Sequence, residues 1–316
     1  MQISSTGSTA RRRALVARVS GPFATRTRRR RLLTAYAFML PSLVIMALFM
    51  FYPLIRAAWL SLTNYSFFGA SQFIGLGNYT RLLHDPQFWG DLGNTAYYAA
   101  VTTPVSIAGA LGLALLLNRR RLPARGILRA AIFLPAVVSL AVAAIPFRLL
   151  FTPSIGLITY WLGALGVHTT DWLDSTTLAM PAVIIVGIWK NVGFYMVIYI
   201  AGLQTIPPEF YEAARIDGAT TWQRFRLITL PLLSNTTMFV TIISLIASFQ
   251  AFDQIYVMTQ GGPAFSTETL VMLIYRQGFQ NFSMGYASAI GYVLVLIILL
   301  FSLLQMRFFN RRAIRY

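Results

Sequence analysis

The sequence predicts an all-α integral membrane protein with six transmembrane helices and both termini in the cytoplasm. Three observations carry that reading. Only 11% of the 316 residues are charged while 57% are hydrophobic, whereas a soluble domain carries about a quarter charged residues. Six stretches are apolar over the length that a bilayer-crossing helix needs, about 20 residues. The basic residues fall in alternate segments between those stretches.

The first span is expected at 32–55. It is too long for the apolar region of a signal peptide, about 7–15 residues, and lacks a small-x-small cleavage site, so it reads as a retained helix. Arg56 at its far end can snorkel to the outer interface. The second span is expected at 94–117, and the third at 130–150, which is short. The fourth, 178–202, is interrupted by Lys190; the fifth and sixth follow at 232–257 and 284–306. This divides the chain into a basic tail (1–31), a six-helix domain (32–312) with a polar insert at 207–231, and a short C-terminal tail (313–316). Residues 1–20, rich in Ser, Thr and Arg, read as a disordered basic tail.

Orientation follows from the arginines. Nine precede the first span (Arg11 to Arg31) and five separate spans two and three (Arg119 to Arg129). Three lie in the insert (Arg215, Arg224, Arg226) and four follow the last span (Arg307 to Arg315). The opposite segments hold Asp85, Asp91, Asp171, Asp174 and Glu268 with few arginines. Cytoplasmic loops carry the excess of Lys and Arg, which places both tails and the insert inside. The net charge of +17 is thus a topology signal, and a nucleic-acid partner is not expected.

Catalytic constellations are lacking. The one lysine, Lys190, follows "VGIW" rather than a Gly-rich turn, so no phosphate-cradling P-loop is present. His84 and His168 lie on separate expected outer loops without metal-ligand spacing. Asp171 and Asp174 read as a solvated loop and an N-cap for span four. With no cysteine there is neither a disulfide nor a thiolate metal site. The chain reads as a non-enzyme without a cofactor of its own.

The insert "EAARIDGATTWQRFRLITLP" (Glu212 to Pro231) is the exception in a lipid-adapted chain. Pro207 and Pro208 suit a helix start, Gly218 permits a sharp turn, and Thr220 or Thr221 can cap a second helix running to Leu230. Small Ala213 and Ala214 allow close approach of another surface, and Glu212, Arg215 and Asp217 offer charge pairing. Glu-Ala-Ala, three residues, Gly, nine residues, Ile-x-Leu-Pro resembles the coupling-loop signature of ABC importer permeases. The match runs through Glu212, Ala213, Ala214, Gly218, Ile228, Leu230 and Pro231 without departure.

The resemblance widens with "LPSLVIMALFMFYPLIRAAWLSLTNY", "FIGLGNYTRLL" and "GGPAFSTETLVMLIYRQGF", which are similar to the first permease subunit of maltose-type and glycerol-phosphate-type importers. It implies the ABC type I importer permease fold in the bacterial cytoplasmic membrane. It also implies a heterodimer with a second permease subunit, two copies of a cytoplasmic ATPase that carry ATP and Mg, and an extracytoplasmic substrate-binding protein. The cargo it implies is a sugar, or a sugar-like polyol such as glycerol 3-phosphate or its diesters.

An ionisable residue inside a span is a functional candidate by default. Lys190, Asn191 and Phe194 in span four, with Ser244, Ser248 and Phe252 expected as one stripe of span five, form the candidate cargo path. Hydroxyls and an aromatic face suit a polyol. The alternatives are that Lys190 neutralises a carboxylate or caps carbonyls where its helix breaks near Gly193, and that the serines pack between helices. Gln250, Asp253 and Gln254 form a polar cluster near the outer end. With Gly261, Gly262 and Pro263 they are candidates for a gate or binding-protein contact. A secondary transporter or channel with a cytoplasmic interaction loop is the competing class; it needs ion-coupling groups of its own.

Overall fold

A computed structural model describes residues 22–69, 71–119, 122–153, 156–164 and 172–310. Residues 1–21 of the basic tail, Arg120, Arg121, His168, Asp171 and the tail 313–316 lie outside the described residues. The chain divides into two units, Met1–Trp59 and Leu60–Tyr316. The first holds α1 (Pro22–Met46), a wider helical turn over Ala47–Phe51, and most of α2 (Tyr52–Ser61). The run Thr34–Ser61 is long and apolar enough to span a membrane.

The second unit starts with an extended stretch in which Thr63 pairs with Phe73. Buried Asn78 donates to the Ser61 and Thr63 carbonyls, both at 2.8 Å. Asn78 lies in α3 (Gly77–Leu83), which leads into α4 (Pro86–Leu117). Asp85 caps α4 by accepting from the Gln87 amide at 3.0 Å, and Pro86 occupies the first helical position, where its missing N–H costs nothing. These signals start the second span eight residues before the expected 94, since polar Gln87 and Asp91 are held inside the fold.

The third span departs most from expectation. In place of one helix over 130–150 stand α5 (Arg125–Val137) and α6 (Leu140–Leu150), bent by 99°. Val138 is extended at the break. Pro135 in α5 and Pro146 in α6 each remove a helical N–H, the usual cause of a kink. After α7 (Leu157–Ala164) comes α8 (Ala179–Gln204), the fourth span, which is continuous. The break expected near Gly193 is absent; a Cβ at Gly193 would collide with the Ile132 carbonyl, so this glycine lets α8 approach α5. Asp174 is exposed and does not cap α8, whose start carries no side-chain cap.

The insert forms α9 (Pro208–Ile216) and α10 (Thr221–Arg224). The expected helix to Leu230 is helical throughout, but it widens over Phe225–Thr229 before the turn Leu230–Leu232. The fifth span comprises α11 (Ser234–Phe249) and α12 (Asp253–Met258), and α13 (Leu270–Tyr275) precedes the sixth, α14 (Met284–Asn310). α4 packs on α8 and α11, α5 on α8, α6 on α12, and α14 on α11 and α13. Tyr98, Val183 and Ile255 centre one core cluster, Ala110, Tyr199 and Leu233 a second, and Phe88, Leu273 and Ile290 a third. The apolar window of the first span is not buried at all, the other four continuous spans are buried only in part, and a rim of large apolar side chains stays exposed, as lipid and a membrane partner require.

Candidate functional site

The insert presents a self-supporting helix–turn–helix. Glu209 in the first turn of α9 and Arg215 in its last turn both complement the helix dipole. Gly218 ends the helix at φ +75°, a conformation that costs a β-carbon-bearing residue energy. The amide of Ala219 closes back on the Ala214 carbonyl at 2.8 Å. Thr220 is the cap that starts α10: its amide donates to Gln223 Oε1 at 2.7 Å, and Thr220 Oγ1 accepts from the Gln223 amide at 3.3 Å. That reciprocal pair is a capping box. Tyr211 and Thr229 hydroxyls meet at 3.0 Å and hold α9 against the segment leading back to the membrane.

The surface so built is open. Glu212, Ala213, Arg215, Asp217, Gly218 and Leu230 are exposed, and Ala214, Ile228 and Pro231 are half-buried. None of its charges is in an ion pair; among the described residues the one such pair is Arg276 with Glu268. The sequence did not single out several large apolar side chains that the insert exposes: Ile216 is 87%, Leu227 70%, Trp222 66% and Phe210 45% exposed. In a loop between membrane spans such side chains are available to a partner or to the membrane surface. Their signal in the sequence was weak, since a single large apolar residue inside an amphipathic insert normally faces inward.

At membrane depth, the candidate path residues separate into two groups. Lys190 Nζ donates to the carbonyls of Pro135 (3.0 Å), Ala136 (2.8 Å) and Val138. Its three donors are thereby engaged by the break between α5 and α6. Of the two alternatives for this residue, the carbonyls are found, but on the neighbouring span. Asn191 Nδ2 bonds the Gly187 carbonyl one turn back at 2.9 Å. Ser244 and Ser248 are buried against α8 and α4: Ser244 faces the Tyr195 hydroxyl, and Ser248 Oγ lies 3.1 Å from Thr103 Oγ1. The expected continuation of their stripe to Phe252 fails, because α11 ends at Phe249 and Phe252 precedes α12. Phe194 is exposed and Phe252 half-buried. Phe252 stacks on Tyr256 at 5.3 Å and meets Tyr275 at 5.4 Å.

The polar cluster expected at Gln250, Asp253 and Gln254 also separates. Gln250 and Asp253 are exposed, whereas Gln254 is buried and donates to the Tyr98 hydroxyl at 2.8 Å. Gln254 thereby links α12 to α4. Gly262 and Pro263 line a cavity of about 350 Å³ with Arg148 and Asp174, and Gly261 is buried beside Glu268. His84 Nδ1 lies 2.8 Å from the Thr80 carbonyl, an ordinary helix-end contact.

The loop 261–268 is tied to α4 by groups that the sequence did not single out. Asn94 Nδ2 donates to the Phe265 and Glu268 carbonyls at 2.8 and 2.9 Å. Arg276 Nη1 sits 3.0 Å from Glu268 Oε2, and its guanidinium lies over the Phe265 ring. Gln87 Nε2 reaches Asp91 Oδ1 at 2.8 Å and Glu268 Oε2 at 3.4 Å. Burial pushes the Glu268 carboxyl up to about 7, against the lowering effect of Arg276.

Comparison with known proteins places these features. Residues 106–315 match the family described as binding-protein-dependent transport system inner membrane component. A probable ABC transporter permease, YurN of Bacillus subtilis, is 38% identical over 282 residues, covering 87% of this chain and 95% of the relative. The lactose transport system permease LacF of Rhizobium radiobacter is 39% identical over 276 residues, covering 85% and 92%. The sn-glycerol-3-phosphate transport system permease UgpA of Agrobacterium fabrum is 34% identical over 283 residues, covering 88% and 95%. A crystal structure of a bacterial ABC transporter that imports the acidic polysaccharide alginate superposes with a TM-score of 0.79 at 25% identity, covering 89% of this chain and 96% of the other. The chain belongs to the binding-protein-dependent transport system inner membrane component family: it is a multi-pass permease subunit of an ABC importer in the cytoplasmic membrane, and not itself an enzyme.

Proposed function

We propose that this permease carries a sugar or a sugar-like polyol, glycerol 3-phosphate and its diesters included, and that its insert couples the movement to ATP hydrolysis on a separate subunit. The cargo class rests on the relatives, which are named for lactose, arabinooligosaccharides and sn-glycerol 3-phosphate. The coupling role rests on one observation: the complete Glu212-to-Pro231 motif is borne on a capped helix–turn–helix whose charges lack internal ion pairs and whose Ile216 and Trp222 side chains are exposed. In this reading Glu212 to Gly218 lies in the cytoplasm in a cleft of one of two ATPase subunits, which hold ATP and Mg. A second permease subunit completes the membrane pathway, and Gln250, Asp253 and Gly261 to Pro263 lie on the side that meets the binding protein. The cargo passes Asn191, Phe194 and Phe252, while Lys190, Ser244 and Ser248 hold the wall behind them. A secondary transporter or channel is not retained, because relatives matched over most of the chain are permeases of ABC transport systems.

The test joins docking to turnover. Cysteine at Ala213 should crosslink to a single-cysteine ATPase in the assembled complex. Adding Gly218→Val, which forces a β-branched residue into a positive-φ turn, should abolish the crosslink and lower cargo-stimulated ATP hydrolysis at least roughly tenfold, the equivalent of about 1.4 kcal/mol. Full stimulated hydrolysis in the Gly218→Val complex would remove the coupling role from this loop.

A further inference from the structure

A large cavity lies outside the expected cargo path. It is an open cavity of about 1260 Å³ between the segment joining α4 to α5 and the first helix of the insert. Five arginines line it, Arg119, Arg125, Arg129, Arg215 and Arg224, against one carboxylate, Glu212. None of the six is in an ion pair among the described residues. Two of the guanidiniums are held in place. Arg129 Nη2 donates to the Leu117 carbonyl at 2.8 Å, and Arg224 Nη2 to Thr221 Oγ1 at 3.2 Å. The Nε atoms of both are buried with no hydrogen-bond partner. What the cavity shows is its lining: five guanidiniums, two of them anchored, against one carboxylate, a donor set that suits an anion with several acceptor oxygens.

We propose that this cavity is a binding site for a phosphate-bearing anion, and that the anion is supplied by an acidic phospholipid headgroup. Guanidinium forks match phosphate oxygens in bidentate fashion. A cavity with a four-charge excess gains more from a phosphate than from a neutral polyol. The site also lies where headgroups lie, since Arg125 and Arg129 begin the helix that enters the membrane while Ile127, 72% exposed, and Leu128 on the same turns offer an apolar surface for acyl chains. Basic pockets between membrane helices hold anionic headgroups for this reason. Bound there, the lipid would bridge α5 to the second helix of the insert through Arg224, at the edge of the Glu212-to-Gly218 face assigned above to the ATPase. The inference rests on the membrane placement of the chain and is independent of the cargo assigned above.

The purified, delipidated full chain in neutral detergent would be titrated with phosphatidylglycerol, with phosphatidylcholine and with inorganic phosphate. Binding would be read by native mass spectrometry and by thermal stabilisation. Wild type should retain phosphatidylglycerol in preference to phosphatidylcholine. Arg125→Gln with Arg129→Gln should weaken that retention by roughly tenfold or more, at the usual worth of a headgroup-proximal arginine. Arg307→Gln, which removes a charge at the end of α14 outside the cavity, should leave it within about twofold. Should the double Gln variant fail to fold, Arg125→Lys with Arg129→Lys keeps the charge and loses the fork, and should bind phosphatidylglycerol more weakly than wild type. Protection by inorganic phosphate but not by phosphatidylglycerol would keep the phosphate site and reject the lipid as its source. Equal retention by wild type and the double variant, or equal retention of the two lipids by wild type, would overturn the proposal. A cavity indifferent to both anions that gains protection only from the ATPase would be a protein interface instead.

Discussion

Glu268 shows how one side chain can set the behaviour of a loop. It is 1% exposed and shares the space under the 261–268 loop with Arg276, Gln87 and Asp91. Desolvation raises its carboxyl from 4.5 to about 7 even with Arg276 beside it. In the unfolded chain the same group titrates near 4.5, so between about 4.5 and 7 the folded protein binds the extra proton. Stability contributed by the neutral form is complete below the lower value and is lost as pH rises through the upper one. We expect thermal unfolding of the purified chain to shift downward between pH 5 and pH 8, and Glu268→Gln to flatten that slope. An unchanged slope in Glu268→Gln would assign the effect to another group. The residue was visible in the sequence only as an outer-loop acid. Its partner Gln87 lies 181 positions away, a proximity that no local pattern reveals.

At the scale of elements, the broken third span explains the lone lysine. A helix interrupted at membrane depth exposes carbonyls that lipid cannot satisfy, and Lys190 supplies three donors to the carbonyls of Pro135, Ala136 and Val138. Five spans were legible because apolar length alone decides them; seven of their ten limits agree with the structure within about two residues, and the early start of α4 follows from a cap that hydropathy does not weigh. The third was not legible as two helices, because Pro135 and Pro146 sit in a continuous apolar run and their effect depends on what satisfies the freed backbone. The coupling motif was legible residue by residue, since it is local and its turn chemistry is fixed by Gly218 and Thr220. The cargo path was not: whether Ser244 and Ser248 face a cavity or α4 depends on helix rotation, and the stripe through Phe252 assumed a helix that ends three residues earlier. Lys190→Met should leave three carbonyls without their donor and destabilise the fold by about 1–3 kcal/mol. Thermal unfolding in detergent would measure it. A midpoint equal to wild type would mean that the bend holds without its lysine.

For the molecule as a whole, the arrangement of charge and the arrangement of helices must give the same orientation. The five arginines of 119–129 precede α5, the insert bearing Arg215, Arg224 and Arg226 follows α8, and Arg307 closes α14. The structure joins the first two of these groups in one cavity, through Arg119, Arg125, Arg129, Arg215 and Arg224, so they occupy one side of the membrane whichever way the chain is inserted. The loop with Gly262 and Pro263 belongs to the other end of the fifth span, past Met258. Because Lys and Arg are retained on the cytoplasmic side during insertion, the arginine side should face the cytoplasm. There it would present Glu212 to Gly218 to the ATPase and leave Gly261 to Pro263 to the binding protein. Alkaline phosphatase fused after Pro263 should be active, and the same reporter fused after Arg121 inactive, with a cytoplasmic reporter giving the reverse pattern. Equal signals from the two positions would require an odd change in the number of crossings between them, which the bent pair α5 and α6 would supply if it entered and left the membrane on the same side.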